Sequence, residues 1–248
     1  MHATHSNPLS RRLKLAALSS LFVLSTAATG FTAMVPLAEA TSEIPGTALG
    51  TGTSGLTGTV IAAQDSPFSL APEFQGILRS MVVDTGSGFD FYYQLVNTGS
   101  DPMETGADIF RVKSIGGFTG LTLSVSYSTD IATLDFAGFS NGPSGGAPYS
   151  TGTKSIFSAD RDAGSPGSVG FDFSPSHFLF DPANVDIGQT SMFAVVRTNV
   201  STYLSASMDI SGNDTARIAS YAPVPEPQAA ALFAVGSLLL LRRRAYRW

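Results

Sequence analysis

The amino-acid sequence predicts an all-β fold, an antiparallel β-sandwich or jelly roll, with one helix before it and one hydrophobic helix after it. Three observations carry this. Short runs between about residues 60 and 222 alternate apolar and polar side chains, as a strand with one buried face does. Clusters of Gly, Pro, Asn, Ser and Asp, such as Asn97-Thr98-Gly99-Ser100-Asp101-Pro102 and Asn141-Gly142-Pro143-Ser144-Gly145-Gly146, separate those runs and favour turns. Little in the region has helical spacing. Many short strands with one apolar face are stable when two sheets bury those faces together.

The strand signals follow in chain order. Residues 77–83 open the series. In 89–96 Phe89, Phe91, Tyr93 and Leu95 share one face, with Tyr92 on the other. Residues 109–112 come next, then 121–127, where Leu121, Leu123, Val125 and Tyr127 alternate with Thr122, Ser124 and Ser126. Shorter candidates are 169–173, 178–180 and 192–196. Residues 203–210 place Leu204, Ala206, Met208 and Ile210 inward and Ser205, Ser207 and Asp209 outward. The domain so defined spans 59–222. Residues 41–58, rich in Gly and Thr and without periodicity, read as a linker.

Charge narrows the possible partners. The chain carries 14 basic and 19 acidic residues, but seven of the basic ones sit at its two ends. Residues 41–227 hold seven basic against eighteen acidic residues, a net of −11. So acidic a middle repels nucleic acid and anionic lipid. With no cysteine in 248 residues, disulfides, thiolate nucleophiles and Cys-ligated zinc are excluded.

Both ends have the marks of targeting segments. Arg11, Arg12 and Lys14 precede an apolar stretch at 15–28, and Ala38-Glu39-Ala40 supplies a small-x-small site. A positive segment, a short apolar core and such a site are the pattern of a secretory signal peptide, here 1–40, with Ala38 and Ala40 at the cleavage region. Ala27 and Ala33 offer further small-residue sites. At the other end Val224-Pro225-Glu226-Pro227 leads into an apolar run, 229–241, closed by Arg242, Arg243 and Arg244. Thirteen residues of helix span only about 20 Å, short of the roughly 30 Å hydrocarbon core. The arginines would stay on the cytoplasmic side, which places the preceding domain outside. Pro225 and Pro227 hold their segment extended.

This order of Pro-Glu-Pro motif, short hydrophobic helix and Arg-rich end over residues 223–248 resembles the PEP-CTERM sorting signal. The resemblance implies an exosortase-type processing enzyme as partner, a transient stay in the inner membrane, and delivery to the surface or extracellular matrix of a Gram-negative, exopolysaccharide-making bacterium. It covers the tail alone and implies nothing about the chemistry of the domain.

Catalytic signals are sparse. His177 is the one histidine between residues 41 and 227, and no Gly-x-Ser-x-Gly elbow accompanies the many serines. One His without Cys makes a poor zinc site. Among the loops, Asp160 and Asp162, then Asn184 and Asp186, present oxygen ligands beside a glycine, a pattern that suits Ca²⁺ or a simple Asx-turn. Tyr92 could stack on a sugar ring if its face of the strand is open. The sequence thus reads as a non-enzymatic surface or matrix protein without a required cofactor. Its rivals are a carbohydrate-binding module, calcium-supported or not, and a secreted polysaccharide hydrolase using two of the carboxylates.

Overall fold

The computed structural model describes residues 34–39, 43–45, 50–51, 56–70, 74–100, 109–128, 152–162, 167–175, 184–212 and 214–224. Outside them lie the expected signal segment at 15–28, Ala40, the run 178–180, His177, the expected C-terminal helix at 229–241, and the tail residues Pro225, Glu226, Pro227 and Arg242 to Arg244. The described residues are all-β, with two sheets and no helix, and among them no helix is long and apolar enough to cross a membrane.

The strands are β1 (Val35–Pro36), β2 (Ile44–Pro45), β3 (Gly50–Thr51), β4 (Thr59–Ser69), β5 (Gln75–Asp84), β6 (Phe89–Asn97), β7 (Arg111–Ser114), β8 (Leu123–Ser128), β9 (Ser158–Arg161), β10 (Val169–Asp172), β11 (Phe193–Thr198), β12 (Tyr203–Ser211) and β13 (Thr215–Pro223). One sheet runs β1-β8-β11-β6-β5-β4, and β3 joins its β8 in parallel. The other runs β13-β12-β7-β10-β9-β2, with every pairing antiparallel.

The two sheets share one core, in a sandwich-like arrangement. Leu78, Val82, Phe91, Tyr93, Leu95, Val125 and Val196 from the first sheet meet Val112, Phe171, Met208, Ile210 and Ala216 from the second. Phe91 packs edge-on against Phe118, ring centres 6.1 Å apart. The Tyr93 hydroxyl donates to the Tyr221 carbonyl at 2.8 Å and so ties the sheets together. Burial drives the Tyr93 pKa far above that of an ordinary phenol.

The first sheet is buried on its other face too. Met81, Val83, Tyr92, Phe193 and Val195 form a second apolar cluster, which Leu56 joins and Met34, Val60 and Ala63 flank. Tyr92 is 0% exposed, so the open face that stacking on a sugar would need is not there. Polar pairs border the cluster. Arg197 donates to both carboxylate oxygens of Asp90, at 2.9 and 2.6 Å, while Arg79 faces Gln94 and Asp65.

Asp90 is fully buried, and burial raises its pKa above the ordinary 3.8 although Arg197 pulls it down. A folded state that holds this proton more tightly than the unfolded chain loses stability as pH rises from 3.8 through the folded value. Urea melts over that window, wild type against Asp90→Asn, should therefore show the wild type losing ground as pH rises. A wild type that gains ground would mean that Arg197 outweighs burial.

Two further readings change. The stretch expected as a linker holds the two-residue strands β2 and β3, and its Leu56 is buried. Leu204, expected inward, is 44% exposed, whereas Met208 and Ile210 on the same face are buried. The β5–β6 hairpin turns at Gly86, whose φ of +78° a side chain would resist and whose N–H bonds the Asp84 carboxylate.

Candidate functional site

The outward face of the second sheet concentrates the charged side chains of the described region. Strand alternation puts Val112, Phe171, Ala159, Met208 and Ala216 into the core, which turns Arg111, Lys113, Asp160, Asp172, Asp209 and Arg217 outward. Register then aligns them. Arg217 lies opposite Asp209, Asp209 opposite Lys113, Lys113 opposite Gly170, and Gly170 opposite Asp160. Opposite charges across strands stabilise a sheet modestly, by about 0.2–1 kcal/mol per pair.

Arg111 is the centre of the group. Its guanidinium donates to Asp172 at 2.5 Å and to Asp160 at 2.7 Å. Burial pulls the Arg111 pKa down, but the two aspartates more than reverse this and leave it above its ordinary value. Asp160 is raised: burial is the main cause, Arg111 opposes it, and Asp172 adds to it. Asp162 behaves differently, being exposed and held below the ordinary carboxylate value by hydrogen bonds from Lys113 and Ser168.

The Arg111–Asp160 contact crosses β10 at Gly170, and only a residue without a side chain permits it. A Cβ there would lie 2.3 Å from both Arg111 Nη2 and Asp160 Oδ1. Gly170→Ala should push the two side chains apart at a cost of about 1–2 kcal/mol, since both ends can swing toward solvent. Chemical denaturation checks this. An unchanged midpoint would mean that the pair contributes nothing to stability.

Beside this network lies a cleft of about 170 Å³ lined by Glu43, Arg111, Phe157, Ser158, Asp160 and Asp172 among others. Phe157 is 38% exposed there, an aromatic surface next to fixed donors and acceptors. Such a combination can hydrogen-bond hydroxyl groups and stack on an apolar ring face. Arg111 stands between the two carboxylates and donates to both.

The calcium candidates do not form one oxygen cage. Asp160 is held by Arg111, Asp162 by Lys113, and Asp186 by Lys154 at 3.3 Å. Asp186 also begins a turn in which its carbonyl accepts from Gln189 N–H and its own N–H donates to Gln189 Oε1. Asn184 is buried just before that turn. A lysine or arginine thus pairs with each of these three carboxylates. Among the described residues no three His, Cys, Asp or Glu side chains come together as metal ligands.

Sequence reasoning missed Arg111, Phe157, Asp172 and Gly170. The alternating charges of Arg111-Val112-Lys113 and Asp160-Arg161-Asp162 were the available signal, but Arg111 is 61 residues from Asp172 and 49 from Asp160. Only strand order brings them together. Of the tail motif, Val224 is described: its N–H bonds the Thr202 carbonyl at 3.1 Å. Ala38, of the expected cleavage region, is exposed on the segment after β1. Comparison with protein-family models, with curated proteins and with solved structures finds no match.

Proposed function

We propose that the chain is an exported, non-enzymatic protein of the bacterial surface or extracellular matrix, delivered by a cleavable signal peptide and a C-terminal sorting tail of the PEP-CTERM kind. The observation that carries this reading is the ordered tail, Val224-Pro225-Glu226-Pro227, then the apolar run 229–241, then Arg242, Arg243 and Arg244. The fold is compatible with it. Strand β13 ends at Pro223, so a cut within or after the motif leaves both sheets intact. The apolar run is too short to span comfortably, which suits a transient address better than a permanent anchor. In this reading an inner-membrane exosortase is the processing partner, and the flanking helices belong to targeting and not to the domain.

The test is a Pro225→Ala/Pro227→Ala variant followed by membrane fractionation. The variant should stay in the inner membrane with peptides from 229–241 still attached, while the wild type reaches the surface without them. A surface-exposed wild type that keeps those peptides would make the tail a plain anchor.

A second reading, a carbohydrate-binding module, is favoured by Phe157 beside the Arg111 network. It moves the sugar contact from Tyr92, which is buried, to Phe157. Affinity electrophoresis in exopolysaccharide gels should show retardation that Phe157→Ala abolishes. Equal mobility with and without polysaccharide would remove this reading.

A further inference from the structure

The segment just before the expected signal-peptidase site is built into the folded domain. Val35 and Pro36 pair with Val125 and Ser124 of β8, and the Leu37 N–H continues the ladder to the Leu123 carbonyl at 2.9 Å. The Leu37 side chain is 1% exposed and belongs to the main core. Arg161 adds a lock from the opposite sheet. It shares the inward face of β9 with Ala159, and its side chain is 2% exposed. Its Nη1 donates to the Leu37 carbonyl at 2.9 Å, and its Nη2 donates to the Phe118 carbonyl at 2.5 Å and the Leu121 carbonyl at 3.0 Å. The Glu39 carboxylate lies 3.3 Å from the same Nη2 and also accepts from Gly120 N–H at 2.7 Å.

Removal of residues 1–40 would take away β1, the Leu37 side chain and both the carbonyl and the carboxylate that Arg161 holds. The buried Arg161 guanidinium would lose the Leu37 carbonyl that accepts from its Nη1, and a buried charged donor left unmet is costly. The cleft of about 440 Å³ that Leu37, Glu39 and Arg161 line would open further into the core.

From this we propose that the leader is cut on the N-terminal side of Met34, so that the mature domain keeps 34–39, and that Ala38-Glu39-Ala40 is a structural segment and not the processing site. The inference rests on the export reading above and refines it. Signal peptidase acts before the domain folds, so the fold does not shield the later site. What matters is which product forms a complete sandwich.

The test is the N-terminal mass of the full chain after export, for wild type and for Ala38→Arg, which destroys the small residue needed at that site. Both should lack Met1, begin no later than residue 34 and be exported in equal amounts. A wild-type terminus between residues 35 and 41, or loss of processing in Ala38→Arg, overturns the inference while leaving export standing. An exported chain that still begins at Met1 removes both.

Discussion

Replacing Arg161 by methionine should destabilise the domain by about 3–5 kcal/mol, because several buried carbonyls lose their donor at once. Methionine fills much of the same space but cannot donate to the carbonyls of Leu37, Phe118 and Leu121, which Arg161 reaches. Each buried acceptor left without a donor costs about 1–3 kcal/mol. Glu39→Gln should cost under about 1 kcal/mol, because that carboxylate is 45% exposed and water replaces the lost charge pair. Urea denaturation of both variants distinguishes the cases. Burial lowers the Arg161 pKa, and Glu39 offsets part of the effect, so the guanidinium is held by its hydrogen bonds more than by the single ion pair. Equal losses in the two variants would reverse that order.

The second large effect is expected at Phe91. Its ring is fully buried between the sheets and meets Phe118 edge-on. Phe91→Ala removes this packing and leaves a cavity, at a cost of about 3–5 kcal/mol. For a domain of this size each kcal/mol lowers the melting temperature by about 2–4 °C, so a fall of roughly 6–20 °C should appear in a thermal scan. Phe157→Ala should stay within about 0.5 kcal/mol, since its ring is partly in solvent. A Phe91→Ala melt within 2 °C of wild type, a bound set by about one kcal/mol, would show that the two sheets do not share this core.

These residues also show what was legible in the sequence. Phe89, Phe91, Tyr93 and Leu95 announced β6 because their period of two is unbroken, and the strong alternation of 121–127 announced β8. Strands β1 to β4, β9 and β13 were not foreseen. β4 carries Asp65 and Pro67, tolerated at the edge of a sheet where one side of the backbone needs no ladder partner. Its register also slips between Val60 and Ala62, placing Ile61 in a bulge and interrupting the alternation. β13 buries small residues, Ala216, Ser220 and Ala222, whose pattern is weak on any hydropathy scale. β9 turns Arg161 inward, which reads as polar until its carbonyl partners are known.

The site was less legible than the fold, and for a physical reason. The proposed sorting tail is local, so its motif, apolar run and arginines can be read in order. The Arg111 network depends on β7, β10 and β9 lying side by side, and no spacing in the chain encodes that order. Tyr92 failed as a sugar platform because Leu56 joins the cluster on its face of the sheet from a stretch that looked like linker.

The central claim is that the domain is delivered outside the cell and freed of its tail. Intact-mass measurement of the surface protein, in cells with and without the exosortase-type enzyme, tests it most directly. With the enzyme, the mass should lack the apolar run 229–241 and the arginines that follow. Without it, the chain should retain them and remain in the inner membrane. A surface protein of the same mass in both strains, with Trp248 still at its end, would contradict the account.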